Sequence, residues 1–95
     1  YYDFRNNTPS PDTLPTDYFL VHCHPTDPAS CTDSANWGDE VQVTDSSFDM
    51  RLAPFANGFF TGDYEGLSSI GEALTPFFSQ SHGTDPSSTF FRTVG

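Results

Sequence analysis

The chain has 95 residues, with 13 acidic side chains against three basic ones, and its formal net charge at pH 7 is −10. Such a surface repels nucleic-acid phosphates and anionic lipids, so composition argues against binding to nucleic acids or membrane surfaces. Because no stretch of about 18 apolar residues occurs, the sequence predicts no membrane-spanning helix.

Short apolar runs separated by loops rich in Pro, Asp, Ser and Asn predict an all-β fold. In chain order, the strand candidates are Tyr1–Arg5, Tyr18–Cys23, Glu40–Thr44, Gly58–Ile70, Thr75–Gln80 and Thr89–Val94. No long window shows helical periodicity, and the many Phe and Tyr side chains suit pleated strands. The abrupt start on YYDFR, without Met or a leader, favours a processed or partial chain. Because six strands with polar, looped edges do not close easily on themselves and a chain of this size buries a limited core, we expect it to depend on further polypeptide for part of its packing.

His22 and His24 flank Cys23 at the end of the second predicted strand, where both side chains point to one face. Two ligands on one face suit a metal, but the sequence shows no third ligand, and such a pair is more often a polar surface feature. Calcium is the better inorganic candidate, because the ten Asp residues lie mostly in loops and calcium prefers oxygen ligands. No loop has the residue order of an EF-hand, so solvated loop charge is the main interpretation.

Four segments resemble, in order and spacing, the C-terminal end of secreted bacterial sialidase-like proteins with Asp-box repeats. They are YYDFRNN, TDYFLVHC, SSFDMRLAPFANGFFTGDYEGLSSIG and LTPFFSQSHGTD, and FFTGDYEGL is the most specific part. The resemblance implies a six-bladed β-propeller that is incomplete without its remaining chain. Residues 1–45 would supply outer strands of the penultimate blade, residues 46–57 a connecting loop and residues 58–95 the final blade.

The Asp box of that family reads S-x-D-x-G-x-T-W and forms a turn between outer strands. Here CTDSANW offers Asp33 and Trp37 as a degenerate box. The alternative is that Asp33 is an ordinary turn cap and Trp37 an ordinary core residue. Both interpretations give the segment a structural role.

Cys23 and Cys31 fit the same loop, eight positions apart. Two thiols are also compatible with a reduced cytosolic protein, but the acidic composition and the resemblance favour an oxidising, extracellular setting. In that setting we expect a Cys23–Cys31 disulfide, with Cα atoms within about 7 Å. The spacing is not typical of a redox or zinc motif.

The segment GDYEG places Tyr64 between Gly62 and Gly66. In sialidases of this fold, a tyrosine on the innermost strand of the last blade is the nucleophile, an exception to the two-carboxylate rule. The resemblance implies that Tyr64 lies at or near that place, and Glu65 is expected on the opposite face of the strand. The base that activates the phenol would come from an earlier blade. The alternative for Tyr64 is a ring buried between blades.

The resemblance also predicts Arg5, Asp63 and Asp3 as substrate-binding residues. Sialidases hold the substrate carboxylate with three arginines, and the strand TDYFLVHC, where the last is expected, has none. Arg5 would replace it, or instead form a salt bridge with Asp3 or Asp17. Two functions follow: an extracellular sialidase-like glycoside hydrolase acting on glycans, or a non-catalytic β-propeller module for glycan binding or an extracellular assembly.

Overall fold

Seven antiparallel strands in two sheets build the protein, in a computed structural model that describes residues 1–62 and 65–95. The strands are β1 (Tyr2–Asp3), β2 (Pro15–His22), β3 (Gly38–Gln42), β4 (Phe48–Asp49), β5 (Gly66–Ile70), β6 (Ala73–His82) and β7 (Asp85–Phe91). Three short 3₁₀ turns complete the described elements, at Ser30–Thr32, Ser34–Asn36 and Met50–Leu52. The described residues contain no α-helix, so the predicted all-β class is confirmed. They also contain no helix with the length and hydrophobicity needed to cross a membrane.

Strand β2 organises the first sheet, because β1, β3 and β4 all pair with it. Strand β4 pairs with the first two residues of β2, where Pro15 opposes Asp49, and β3 pairs with the second half of β2. Proline is tolerated at the first residue of a strand, so β2 begins three residues before the predicted Tyr18. The short β4 lies in segment 46–57, which was predicted as a connecting loop.

The second sheet is the meander β5-β6-β7. Strand β7 begins at Asp85, earlier than the predicted Thr89, because its pairing with β6 extends to Asp85 opposite His82. Among the described residues of the predicted strand 58–70, Gly66–Ile70 form β5, and Phe59 forms an isolated bridge with Phe55.

Aromatic packing joins the two sheets. Tyr18 of β2 stacks on Phe78 of β6 with ring centroids 4.4 Å apart, and Val43 completes this buried cluster. Tyr2 of β1 contacts both Tyr18 and a second buried cluster of Phe48, Met50 and Ala53. The Tyr2 hydroxyl donates to the Ser79 carbonyl at 2.6 Å, so a polar contact also connects β1 with β6.

Loop 23–37 is closed by the Cys23–Cys31 disulfide, whose Cα atoms are 5.9 Å apart. The predicted bridge is thus confirmed. Asp33 caps the following turn by accepting from the Ala35 amide at 2.9 Å, which confirms its role as a turn cap. Trp37 is 47% exposed, so the prediction that it is a core residue is wrong. Its indole Nε1 donates to the Cys31 carbonyl at 2.9 Å, and this bond holds the ring on the surface of the loop.

Asp17, on β2, is a fully buried carboxylate. Its Oδ1 accepts hydrogen bonds from Thr44 at 2.6 Å and Gln42 at 3.1 Å, and its Oδ2 accepts from Ser47 at 2.6 Å and Asn6 at 2.7 Å. Burial opposes the charged form, but the hydrogen bonds outweigh it and lower the pKa of Asp17. One charge thus ties β2 to the N-terminal loop and to the segment after β3.

We predict that Asp17→Asn lowers the free energy of unfolding by about 2–4 kcal/mol, because an amide cannot accept all four hydrogen bonds. Since the pKa of Asp17 is lowered in the folded state, its stabilisation is present above the unfolded pKa of about 3.9 and is lost as the pH falls through the lower folded value. Urea unfolding of the intact protein at several pH values between about 2 and 7 measures both effects.

The control is Asp45→Asn, because the Asp45 side chain is 97% exposed and its only described ion pair, with Arg92, spans 3.8 Å. That change should alter stability by less than about 0.5 kcal/mol. Equal effects of the two variants would contradict the proposed role of the Asp17 network. The same would follow if the Asp17→Asn variant lost as much stability below pH 4 as the wild-type protein does.

Candidate functional site

The predicted nucleophile Tyr64 and its neighbour Asp63 lie outside the described residues, so their roles stay predictions. The flanking glycines are described and differ from each other. Gly62 has a φ of +136°, which favours glycine, and no described atom lies within 4 Å of an added Cβ. At Gly66, an added Cβ would lie 3.4 Å from Cβ of Phe77. Backbone conformation explains the first glycine, whereas a Cβ at the second would make an ordinary van der Waals contact with β6.

Glu65 lies at a cleft between β2 and the start of β5. The Tyr18 hydroxyl donates to the Glu65 carboxylate at 2.7 Å. Burial raises the pKa of Tyr18, and the hydrogen bond to Glu65 raises it further, so this phenol stays protonated as a donor. The cleft has a volume of about 290 Å³, and its lining includes Tyr1, Tyr18, Phe19, Glu65, Leu67 and Pro76.

Arg5 lies beside this cleft, with its guanidinium carbon 3.9 Å from the centre of the Phe19 ring. Its Nη2 donates to Asp3 at 2.8 Å, and its Nη1 pairs with Glu40. The Tyr1 hydroxyl also donates to Glu40. Hydrogen bonds from Arg5 lower the pKa of Asp3, and those from Arg5 and Tyr1 lower the pKa of Glu40. We call Tyr1, Asp3, Arg5 and Glu40 the arginine cluster.

The arginine cluster confirms the alternative of an Arg5–Asp3 salt bridge, whereas the other suggested partner, Asp17, is bound elsewhere. Both terminal nitrogens of Arg5 already have carboxylate partners, and two negative charges surround one positive charge. A substrate carboxylate would therefore have to displace a resident carboxylate. The substrate-binding roles of Arg5 and Asp3 stay predictions, and this arrangement is better suited to orienting a neutral ligand than to clamping an anion.

Sequence reasoning missed Glu40 and Phe19 as members of this region. Their proximity depends on the pairing of β2 with β3, in which Phe19 opposes Gln42 and the register then shifts before His22. The available signal was the scarcity of cations: with three arginines among 13 acidic residues, each arginine is expected to attract more than one carboxylate.

One group of three metal-ligating side chains comes together in the described part of the chain: His22, His24 and Asp39, with ligand atoms within 4.8 Å of one another. Sequence reasoning found the two histidines but not Asp39. Calcium stays a prediction, and five aspartates, in loops or at strand ends, have another use, because they accept from the amide two residues later. Those aspartates are Asp3, Asp27, Asp33, Asp49 and Asp85.

Comparisons with protein-family models, curated proteins and solved structures find no match for this chain. The sialidase resemblance therefore stays a prediction, and the chemistry of the site has to be inferred from its residues.

The arginine cluster predicts a gain of anion binding when its carboxylates are neutralised. The double variant Asp3→Asn, Glu40→Gln should bind free sialic acid at least about tenfold more tightly than the wild-type protein, because Arg5 then offers an unpaired guanidinium. Isothermal titration calorimetry on the intact protein measures the difference.

The matched control is Asp12→Asn, Glu72→Gln, which changes the net charge equally at two exposed positions outside the cluster. Equal gains in both double variants would show a general charge effect. Tight binding of sialic acid by the wild-type protein would contradict the neutralised state of Arg5.

Proposed function

We propose that the chain is the C-terminal part of an extracellular sialidase-like glycoside hydrolase that acts on glycans. The observation that carries this proposal is the cleft beside Glu65, whose wall combines aromatic rings with a carboxylate. Glu65 is the residue that directly follows the predicted nucleophile in the sequence. Aromatic faces pack on the apolar face of a sugar ring, while carboxylates and phenols bind its hydroxyls. In this proposal Tyr64 is the nucleophile or a substrate-orienting hydroxyl.

The substrate class we favour is a neutral glycan. Arg5 supplies one positive charge to the region of the cleft. Three negative charges lie in the same region: Asp3 and Glu40, which pair with Arg5, and Glu65, which accepts from Tyr18. A sugar without a carboxylate avoids repulsion from this surface, and its hydroxyls can donate to the carboxylates. The disulfide between Cys23 and Cys31 supports the extracellular setting, because such bonds persist in oxidising compartments.

The proposed partner of the chain is the remainder of a six-bladed propeller. All five residues of β5 are exposed, including Leu67 at 64% and Ile70 at 84%, and Phe91 of β7 is 67% exposed. Apolar side chains on two strands of one sheet are typical of surfaces that another part of a protein covers. In this proposal, neighbouring blades cover β5 and β7.

The second candidate function is a non-catalytic propeller module that binds glycans or belongs to an extracellular assembly. The observation that favours it is the double pairing of Arg5, because an enzyme that hydrolyses sialosides needs free arginines for the substrate carboxylate. The two candidates differ in turnover, since both predict a glycan in the cleft.

We predict that Tyr64→Phe lowers kcat on the intact protein's best glycoside by on the order of 10³-fold or more, because a nucleophile cannot be replaced by a ring without its hydroxyl. The melting temperature should stay within about 1 °C of wild type. Initial rates over a panel of neutral and acidic fluorogenic glycosides, with thermal unfolding, measure both quantities.

The matched control is Tyr2→Phe, which removes the hydroxyl bonded to Ser79. It should cost about 1 kcal/mol of stability and leave kcat unchanged. If Tyr64→Phe keeps its turnover and loses stability instead, Tyr64 is a packing residue. Glycan binding by the wild-type protein without any turnover would favour the non-catalytic module.

We also predict that the isolated 95-residue chain unfolds without a sharp cooperative transition, because its exposed β5 and β7 lack the covering polypeptide. Circular dichroism melting and analytical ultracentrifugation of the purified fragment measure this. A monomer that melts in one steep transition would show that the chain is independently stable and would contradict the need for further blades.

A further inference from the structure

The end of β2 brings two imidazoles next to a carboxylate. His22, the last residue of β2, opposes Gly38 across a register shift, which places Asp39 beside it. Asp39 has a φ of +49°, a left-handed conformation that aspartate tolerates better than most residues. Its Oδ2 lies 3.4 Å from His22 Nε2. The His24 ring stands perpendicular to the His22 ring, with centroids 4.6 Å apart.

Covalent and hydrogen bonds fix this group. The Cys23–Cys31 disulfide begins at the residue between the two histidines. Asn36 donates to the Ser30 carbonyl at 2.6 Å, and Trp37 donates to the Cys31 carbonyl. The loop that carries His24 is thereby tied to the residues that precede Asp39. A site held in this way loses little conformational entropy when a ligand binds.

The geometry is poor for a simple ion pair and better for a shared cation. A strong hydrogen bond from an imidazole to a carboxylate needs about 2.7–2.9 Å, so 3.4 Å is long. In a tetrahedral zinc site with bonds of about 2.0–2.1 Å, neighbouring ligand atoms are about 3.4 Å apart. The His22–Asp39 separation matches that distance, and all three ligand atoms lie within 4.8 Å of one another.

His22 Nδ1 is a second, independent observation. This atom is buried and has no hydrogen-bond partner in the described part of the chain. A metal shared with Asp39 would bind Nε2, the nitrogen that faces the carboxylate, and the imidazole proton would then lie on Nδ1. A buried polar atom without a partner is often explained by an ion or a water molecule. The imidazole of His22 thus has donor capacity that the described protein groups do not satisfy.

We propose that His22, His24 and Asp39 form a binding site for a divalent transition metal of the zinc type. Two imidazoles and one carboxylate are borderline donors that suit Zn²⁺, whereas Ca²⁺ prefers oxygen ligands alone. The three ligands border a cavity of about 250 Å³, with Thr26, Ser30 and Trp37 also in its wall. Water fills the remaining coordination position, and the metal joins the disulfide loop to β3.

The test uses Zn²⁺ as the probe, on the intact protein without a histidine tag. Isothermal titration calorimetry should give one site per chain, and Zn²⁺ should raise the melting temperature in a way that EDTA reverses. His24→Ala and Asp39→Asn should each weaken zinc binding more than about tenfold, since loss of even an outer-shell partner has effects of about 10–100-fold. Asparagine tolerates the positive φ at position 39, so Asp39→Asn keeps the backbone while removing the charge.

The matched control is His82→Ala, because His82, the last residue of β6, packs on Phe90 of β7 and does not belong to the group. This variant should bind Zn²⁺ as the wild type does. Absence of zinc binding up to 1 mM, equal affinity in Asp39→Asn, or equal weakening by His82→Ala would each overturn the proposal. Calcium titrated in the same way should give no competition with zinc, and competition at the same site would overturn the zinc-type assignment.

Discussion

A single buried charge, the Asp17 carboxylate, is the constraint on which the first sheet depends. Four donors converge on it, one from the N-terminal loop and three from residues 42–47, and each of these bonds is lost if its segment moves away. The residues on either side, Thr16 and Tyr18, are buried as well. Apolar burial alone is modest in a chain with 35% hydrophobic residues, so this polar network supplies specificity that a larger apolar core would otherwise supply.

Because β2 is fixed in this way, both candidate sites are placed by the same strand. Phe19, two residues after Asp17, carries the Arg5 guanidinium on its ring, and His22 at the strand end faces Asp39. The register shift between Leu20 and His22 separates the two regions. Such an irregularity redirects the side chains after it, so β2 presents an aromatic cleft along one part and imidazoles at its end.

The elements that could be predicted from the sequence are those with local signals. Turn residues and aromatic runs located six strands. The disulfide was predicted because Cys23 and Cys31 lie in one loop and because composition and the sialidase resemblance favour an extracellular setting. Features that depend on tertiary pairing were missed: β4 has two residues and forms because β2 extends to Pro15. Glu40 and Asp39 reach their partners through the β2–β3 register, and no local pattern encodes a bulge. Trp37 was misjudged because its indole bonds to a loop carbonyl that only the folded loop presents.

The acidic residues divide into physical classes, and this division bears on function. Asp17 is buried and saturated with donors, whereas Asp27, Asp33 and Asp85 hold turns through backbone amides. Asp3 and Glu40 form ion pairs with Arg5, which lies beside the cleft. With a net charge of −10, the chain has few other cations to attract an anion towards this cleft. A neutral ligand avoids that electrostatic cost and still finds rings and acceptors, which is why we connect this cleft with neutral glycans.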